Sequence, residues 1–469
     1  MAPSSLQPKI KRECENTASQ AALLYSENEW TDQNMNIKKR IGLFVILLAL
    51  LTPTALAAEP LEVEARAAIL VDVNSGEVLF EQNADARQYP ASLTKIMTAL
   101  LVAEHCDFQE LVEAKASAFS DLIAAGSSAG LQKGEILSVE NLLYCMLVSS
   151  GNDAANVLAE HVGGTLPQFY DMMNQKAAAL GCTGTHFANA HGLHNENHYT
   201  TARDLYRITR EFVANDALMK IANTVSYAVP ATNMTPTQRI LNSTNLLISG
   251  TKTIKYIYSP ARGIKTGTTT PAGYCLVSSA EKNGLYLVSV LLGAGKDETT
   301  GNIMSFVETK RMFEWGFHHY AYQEIVSSGE PVVELPVDLS QDADAVVAVT
   351  QSAITSLMPS DFDAKDVVIT PWLYEERLTA PVMKGQVLGE ADVSYDGRSY
   401  GRIKLVALSN VERSNFLYSV DQIKAYVTNP VLWLVIAGVI AAAGAYIVVA
   451  ILLNRRRRLR RIRRRGRYL

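Results

Sequence analysis

The sequence predicts an α+β protein: an antiparallel sheet covered by helices, then a small β-rich region and a C-terminal apolar helix. Strand patterns occur near residues 67–80 and again over 264–292, whereas the segment between them has mainly helical spacing of apolar residues. A further set of short β patterns follows residue 322, and an uncharged run ends near residue 453. Because strands flank a helical middle, we expect the first hairpin and the last strands to lie side by side in one sheet.

The first elements follow from turn residues and apolar spacing. Residues 67–73 predict a strand, Asn74-Ser75-Gly76 a turn, and residues 78–80 the returning strand of a hairpin. After Pro90, apolar residues recur with helical spacing. The sequence therefore predicts that Ser92 lies in the first turn of a buried helix, whose apolar positions are Leu93, Ile96, Met97, Leu100 and Leu101.

The middle and the second β region are predicted in the same way. Helices are expected mainly over 138–162, 166–180 and 202–213, and strands over 264–268, 274–279 and 286–292. Beyond residue 322, short β patterns are found, with Asp396-Gly397 as a hairpin turn. The sequence thus predicts a main domain over 59–322 and a small β domain over 323–410 that separates it from the membrane.

The N-terminal region has the pattern of a secretory signal peptide over residues 35–58. Basic residues follow Met35, an apolar run covers 41–51, and the small residues of Ala55-Leu56-Ala57 fit a cleavage site. Since a signal normally begins a chain, we expect translation to start at Met35 and residues 1–34 to be an extension of the reading frame. A long polar region in front of the signal is the alternative.

The C-terminal region has the pattern of a membrane anchor. Residues 411–430 include an apolar helical stripe typical of a membrane-surface helix, and residues 431–453 are uncharged and long enough to span a bilayer. Ten arginines follow within 454–469. The positive-inside rule predicts a cytoplasmic tail, an extracellular main domain and contact of 431–469 with membrane lipid.

Charge and cysteine content exclude several classes of function. The region 59–454 has 15 more acidic than basic side chains, so nucleic acid is not an expected partner. Cys106, Cys145, Cys182 and Cys275 have no metal-ligand spacing, and buried free thiols are expected. The group His191, His194 and His198 could suggest zinc, but no second zinc motif accompanies it, so no metal or cofactor is predicted.

Three short motifs carry the chemistry. Ser92-Leu93-Thr94-Lys95, Ser150-Gly151-Asn152 and Lys265-Thr266-Gly267 occur in that order, and their first residues are 58 and then 115 positions apart. They supply a hydroxyl beside an amine, a second hydroxyl beside an amide, and a cation beside a glycine. This combination suits a serine acyl-transfer enzyme that works without histidine or metal.

Each motif residue has an expected role. Ser92 is the predicted nucleophile and Lys95 its base, with a pKa lowered by burial and by Lys265. Ser150 and Asn152 are expected in a turn before a helix over 154–161, where Ser150 can relay a proton to the leaving group and the Asn152 amide can bind a peptide carbonyl. Considered separately, the first two motifs also suit a helix cap, a solvated lysine, or capping of the next helix by Asn152 or Asp153.

The third motif is expected on an edge strand that pairs with an extended peptide. Gly267 has no side chain to hold a ligand away, and the hydroxyls of Thr266 and Thr268, with Lys265 nearby, suit a substrate carboxylate. The amides of Ser92 and Thr268 are candidate oxyanion donors. An ordinary strand that ends in a glycine turn is the alternative.

These motifs resemble those of the penicillin-recognising serine enzymes, most closely the low-molecular-weight penicillin-binding proteins that are D-alanyl-D-alanine carboxypeptidases. The likeness covers about 61–322 and includes His191-Gly192-Leu193 and Ala272-Gly273-Tyr274. It implies a β-lactamase/transpeptidase-like fold and removal of the terminal D-alanine from peptidoglycan stem peptides ending in D-Ala-D-Ala. It further implies an acyl-Ser92 intermediate and inhibition by β-lactams.

The sequence disfavours three other classes of protein. A class A-like β-lactamase would carry Ser-Asp-Asn and a deacylating glutamate, whereas this chain has Ser150-Gly151-Asn152 and no convincing glutamate candidate. A penicillin sensor would need a cytoplasmic signalling domain, and sixteen residues follow Leu453. A non-enzymatic wall-binding protein is disfavoured because Ser92 and Lys95 are both present.

Overall fold

The computed structural model describes residues 61–123 and 126–465, so the predicted extension and signal peptide lie outside the described residues. In chain order its helices and strands are β1 (Ala67–Asp72), β2 (Val78–Gln82), α1 (Lys95–His105), β3 (Leu111–Glu113), β4 (Ile136–Ser138), α2 (Val139–Leu147), α3 (Asn152–Gly163), α4 (Leu166–Ala179), α5 (Ala202–Val213), α6 (Asp216–Ala222), β5 (Ser226–Val229), β6 (Arg239–Asn242), β7 (Ala261–Thr269), β8 (Gly273–Lys282), β9 (Leu285–Ala294), α7 (Met304–His319), β10 (Tyr320–Val326), β11 (Pro331–Asp338), β12 (Ala345–Thr350), β13 (Ile354–Pro359), β14 (Val368–Leu373), β15 (Leu378–Thr379), β16 (Val387–Tyr395), β17 (Arg398–Ala407), α8 (Asn415–Thr428) and α9 (Pro430–Arg465).

The central sheet confirms the predicted α+β architecture. Its five strands run in the order β2-β1-β9-β8-β7, and every neighbouring pair is antiparallel. The first hairpin therefore lies beside the last strands, as the sequence predicts. This order leaves β7, which carries the third motif, at one edge of the sheet.

Both faces of the central sheet are covered. All six residues of β1 are buried, and alternate side chains point to opposite faces. Ile69 and Val71 belong to the core beneath the helices of the middle segment, whereas Leu70 belongs to a second core with α7. The sequence reasoning missed α7, which packs closely: a Cβ at Gly316 would lie 2.8 Å from Leu287 Cδ1.

The helical middle is interrupted at the second motif. α2 ends at Leu147 and α3 begins at Asn152. Between them Ser150 has φ +65°, in the left-handed region that interrupts a right-handed helix. The interruption places Ser150 and Gly151 on a tight turn before α3, as the sequence predicts.

The second domain is a six-stranded sheet in the order β14-β16-β17-β12-β11-β15, together with the β10–β13 pair. The β16–β17 hairpin turns at Asp396 and Gly397, both with positive φ, as its sequence predicts. Two contacts join this domain to the β1–β2 hairpin. The Tyr322 hydroxyl donates to Asp72 Oδ2 at 2.7 Å, and Arg398 pairs with Glu77 at 2.6 Å.

Two helices end the described chain. α8 exposes apolar side chains such as Phe416 and Ile423. α9 is long and apolar enough over Pro430–Arg461 to cross a membrane, and it is a candidate anchor. Its uncharged part matches the predicted span over 431–453, and its arginine-rich end continues the same helix.

Candidate active site

The predicted nucleophile lies on a short turn that precedes α1. Ser92 belongs to a 3-10 turn over Ala91–Thr94 that continues directly into α1 at Lys95, so it lies in the first turn of a buried helix, as predicted, but that turn is 3-10 and not α-helical. Ala91 has φ +48°, and this change of backbone direction separates Pro90 from the helix. The turn still brings Ser92 and Lys95 to one side, because they are three residues apart.

A neutral histidine supports this turn from below. His198 is buried, and burial together with the neighbouring histidines lowers its pKa to about 3. Its Nδ1 accepts from the Ala188 amide at 2.9 Å, so Nε2 carries the hydrogen and donates to Thr94 Oγ1 at 2.7 Å. Thr94 Oγ1 in turn donates to the Ala91 carbonyl at 2.8 Å. The chain of bonds fixes the left-handed residue next to the nucleophile.

Lys95 is completely buried and has three polar neighbours. Its Nζ lies 2.9 Å from Ser92 Oγ, 2.7 Å from Asn152 Oδ1 and 2.7 Å from the His191 carbonyl oxygen. Burial lowers the pKa of Lys95 well below its usual value, and the nearby Lys265 lowers it further, while Asp153 opposes the shift. The sequence expected partial burial, and the observed burial is complete.

The neutral form of Lys95 fits this environment. The Asn152 and His191 carbonyl oxygens can only accept, so they take the two hydrogens of a neutral amine. The remaining lone pair then faces the hydroxyl of Ser92, which donates to it. The arrangement is that of a nucleophile beside a general base.

The second and third motifs are joined by a hydrogen bond between Lys265 and Ser150. Lys265 Nζ donates to Ser150 Oγ at 2.9 Å and to the Thr266 carbonyl at 3.0 Å. Lys265 is only 1% exposed, and burial lowers its pKa to about 7. Residues 115 positions apart in the sequence thus form one hydrogen-bonded pair at the cleft.

The helix-capping alternative for the second motif holds in part. The Asn152 side chain points to Lys95. Asp153 Oδ1 accepts from the Ala154 amide in the first turn of α3, at 2.9 Å. Asp153 also accepts from the amides of Ala129 and Leu131, at 2.9 and 3.0 Å, and so secures the loop that faces the motif. The first residues of α3 therefore support both the site and the helix end.

Gly267 lines the cleft, and its missing side chain also makes room for the turn that carries Ser92. A Cβ at this position would lie 2.9 Å from the Pro90 carbonyl oxygen and 3.1 Å from both Ala91 Cβ and the Ser92 amide nitrogen. A side chain would therefore push strand β7 away from the nucleophile turn. The missing side chain admits the turn that carries Ser92, and β7 lies against it at van der Waals distance.

These elements border an open cleft of about 270 Å³. Its walls include the motif residues Ser92, Ser150, Thr266, Gly267 and Thr268. Tyr274 of the Ala272-Gly273-Tyr274 segment also lines the cleft. Sequence reasoning missed other wall residues, among them Ser127, Thr244, Lys252 and Phe306. An exposed loop lysine or a lone threonine gives no signal in the sequence.

Thr244 and Lys252 extend the polar wall beside the third motif. Thr244 Oγ1 is hydrogen-bonded to Thr266 Oγ1 at 2.6 Å, and this bond fixes the rotamer of the motif threonine. Lys252 lies on the loop between β6 and β7 and is exposed to solvent. The cleft therefore has a solvated cation in addition to the buried Lys265.

The three histidines that suggested zinc have separate partners. His198 contacts Thr94, His191 Nε2 lies 3.3 Å from Asp121 Oδ2, and His194 packs edge-on against Tyr89. A different group, Cys106, Glu110 and His161, has its ligand atoms within 4.8 Å of one another. It lies at the C-terminal ends of α1 and α3, whereas Ser92 precedes the N-terminus of α1.

The geometry, a serine hydroxyl beside a buried lysine amine, is the arrangement that a serine acyl-transfer enzyme requires. Comparison with known proteins then identifies its family. Residues 54–296 match the model of the D-alanyl-D-alanine carboxypeptidase peptidase family, and residues 320–413 match the C-terminal domain of penicillin-binding protein 5. The chain belongs to the D-alanyl-D-alanine carboxypeptidase family, and it is a serine-type hydrolase of that class.

Individual relatives agree with this assignment. D-alanyl-D-alanine carboxypeptidase DacC of Escherichia coli is 31% identical, over 79% of this chain and 90% of the relative. DacF of Bacillus subtilis is 28% identical, over 81% and 96%. The crystal structure of penicillin-binding protein 5 from Haemophilus influenzae has a TM-score of 0.54 and 30% identity, and the match covers 76% of this chain and all of that one. The β-lactamase and non-enzymatic alternatives are not supported.

Proposed function

We propose that the chain removes the terminal D-alanine of peptidoglycan stem peptides through an acyl-Ser92 intermediate, with Lys95 as the base. The observation that carries this proposal is the buried Lys95 amine, whose nitrogen lies 2.9 Å from the Ser92 hydroxyl at the floor of the cleft. An extended peptide laid along the edge strand β7 would pass directly over this pair.

The proposed reaction has two halves. Ser92 Oγ attacks the carbonyl carbon of the penultimate residue while its proton moves to Lys95, and the amides of Ser92 and Thr268 bind the oxyanion. The C–N bond then breaks, and Ser150, held by Lys265, passes a proton to the departing amine. The proton that Ser150 passes on is replaced by the one held on Lys95, so Lys95 is neutral again. In the second half Lys95 takes a proton from water as it attacks the ester, and returns it to Ser92 Oγ when the acyl bond breaks.

The direct test uses a diacyl-D-Ala-D-Ala tripeptide. One molecule of D-alanine is expected for each substrate molecule consumed, and none from the corresponding peptide that ends in L-alanine. Release of a dipeptide would contradict carboxypeptidase action on this substrate. So would the absence of D-alanine release by a protein preparation that still reacts with penicillin.

We assign the ionic contact with the substrate carboxylate to Lys252, beside the hydroxyls of Thr266 and Thr268. This revises the expectation from the sequence, because Lys265 is buried and directed at Ser150. A solvent-exposed ion pair contributes up to about 1 kcal/mol, so Lys252→Ala should raise KM for the tripeptide roughly fivefold and leave kcat nearly unchanged. Lys255→Ala, on the same loop, is the matched control and should keep the normal KM. A fall in kcat without a change in KM would contradict this role for Lys252.

We further propose that α9 anchors the enzyme with its catalytic domain outside and its arginine-rich end in the cytoplasm. The support is the uncharged stretch over 431–453 followed at once by arginines. α8 would lie on the membrane surface through Phe416, Ile423 and their apolar neighbours.

Membrane fractionation tests the anchor. An aspartate near the centre of a span costs about 2.5–3.5 kcal/mol on insertion scales, so Ala442→Asp should loosen membrane attachment, whereas Ala442→Leu should not. Removing 431–469 should release an active soluble enzyme. Cleavage of a C-terminal tag by protease added to intact cells would overturn the orientation.

A further inference from the structure

The outer face of the second sheet carries an aromatic side chain whose orientation is fixed although it faces solvent. On the edge strand β14, residues alternate between inside and outside, and Trp372 is 59% exposed. Ile369 and Leu373 of the same strand pack against the domain core. Tyr374, which directly follows the strand, is a second exposed ring at 64%.

Polar neighbours hold the indole of Trp372 in place. Its Nε1 donates to Asp392 Oδ2 at 2.8 Å, and Arg402 donates to both oxygens of Asp392, at 2.7 and 3.2 Å. Thr370, Asp392 and Arg402 stand opposite one another on β14, β16 and β17, so they form one row across the outer face. A second row consists of Trp372, Glu390 and Lys404.

This surface lacks the composition of a protein or nucleic-acid interface. The core of a protein interface is apolar and depleted of charge, but Trp372 is bordered by Asp392, Glu390 and Arg402. The carboxylates of Asp392 and Glu390 would also repel the phosphate groups of a nucleic acid. A rigid indole face surrounded by hydrogen-bonding groups instead suits a pyranose ring, which presents polarised C–H bonds on one face and hydroxyls at its edge.

We propose that the outer face of β14, β16 and β17, centred on Trp372, binds the glycan strand of the cell wall. The choice of polysaccharide rests on the proposed function, since the stem peptides are attached to that strand. One sugar would stack on Trp372 while its hydroxyls bond to Asp392, Glu390 and Arg402, and a neighbouring sugar would reach Tyr374. The domain would thereby hold the enzyme on its polymeric substrate independently of the cleft.

The test measures co-sedimentation of the full-length, detergent-solubilised protein with insoluble glycan strands from which the stem peptides have been removed. Ser92 is first acylated with penicillin, so that binding through the cleft is blocked. Trp372→Ala should weaken glycan binding at least about tenfold, which corresponds to 1.4 kcal/mol. Trp372→Phe, which keeps a ring, should weaken it less. Met383→Ala removes an equally exposed apolar side chain from a loop of the same domain and should bind normally.

Each other outcome rejects the proposal. Unchanged glycan binding by Trp372→Ala means that the face is not the glycan site. Binding that requires stem peptides and disappears after penicillin treatment assigns it to the cleft. If Trp372→Ala instead lowers sedimentation with anionic vesicles, the face contacts membrane. Because the glycan assay uses acylated enzyme and no peptide, its failure is distinguishable from failure of the carboxypeptidase proposal, which would appear in the tripeptide assay.

Discussion

Replacing Ser92 by alanine is expected to abolish acylation by penicillin and release of D-alanine from the tripeptide. The hydroxyl of Ser92 is the group that lies 2.9 Å from the buried Lys95 amine, and alanine leaves no atom to form the ester. Fluorescent penicillin should label the wild-type chain at one site. Digestion and mass spectrometry should place the adduct on the peptide that contains Ser92.

A second serine of the cleft provides the control. Ser127 also lines the cleft, but within 61–123 and 126–465 the Lys95 amine is hydrogen-bonded to Ser92 and not to Ser127. Ser127→Ala should therefore keep its penicillin labelling and its D-alanine release. An adduct on another residue, or undiminished labelling of Ser92→Ala, would remove Ser92 from the role of nucleophile.

The sequence predicted the parts of the fold that depend on local pattern. The β1–β2 hairpin has a clear Asn74-Ser75-Gly76 turn, and the order of strands followed from patterns at both ends of the domain. The helix α7 was missed, although the sequence contains an indirect signal for it. The strand β1 is apolar at consecutive positions, Ala67–Val71, and such a run indicates a sheet covered on both faces.

The motifs predicted which residues form the site but not how they are held. Neither the left-handed backbone of Ala91 nor its support by His198 follows from spacing, because both depend on the loop that packs beneath the turn. Gly267 was expected to admit a ligand, but its close approach to Pro90 and Ser92 was not foreseen. Such reasons lie in contacts between segments far apart in the chain, which a single sequence does not show.

The second domain shows the same limit. No convergent polar set was recognised in its sequence, because Trp372, Asp392 and Arg402 lie on three different strands. Strand register brings them together: Thr370, next but one to Trp372, is opposite Asp392, which is opposite Arg402. Alternation on β14 predicts which side chains share a face, but the pairing partners are known only once the sheet is assembled.

Replacing Lys95 by arginine is expected to slow acylation of Ser92 by about 10²–10⁴-fold, the usual cost of losing a general base. Arginine keeps the positive charge but does not lose its proton at any accessible pH, so it has no lone pair to accept the serine hydrogen. Lys265→Arg is the matched comparison and should cost less, since Lys265 orients Ser150 and does not contact Ser92. A larger loss in Lys265→Arg than in Lys95→Arg would exchange the roles of the two lysines.

The pH dependence of acylation distinguishes loss of the proton acceptor at residue 95 from distortion of the site by the substitution. Protonation of Lys95 consumes its lone pair, so the rate should fall as pH falls through the pKa of Lys95, which burial holds well below the usual 10.5. Lys265, with a pKa of about 7, also titrates, and Lys265→Arg removes that contribution. Asp153 and His191 are the other charged or titratable neighbours of Lys95, and burial lowers the pKa of His191. The decline in rate at low pH should therefore persist in Lys265→Arg and vanish in the residual activity of Lys95→Arg. An acylation rate in Lys265→Arg that does not fall as the pH is lowered would show that Lys95 is not the group that takes the proton.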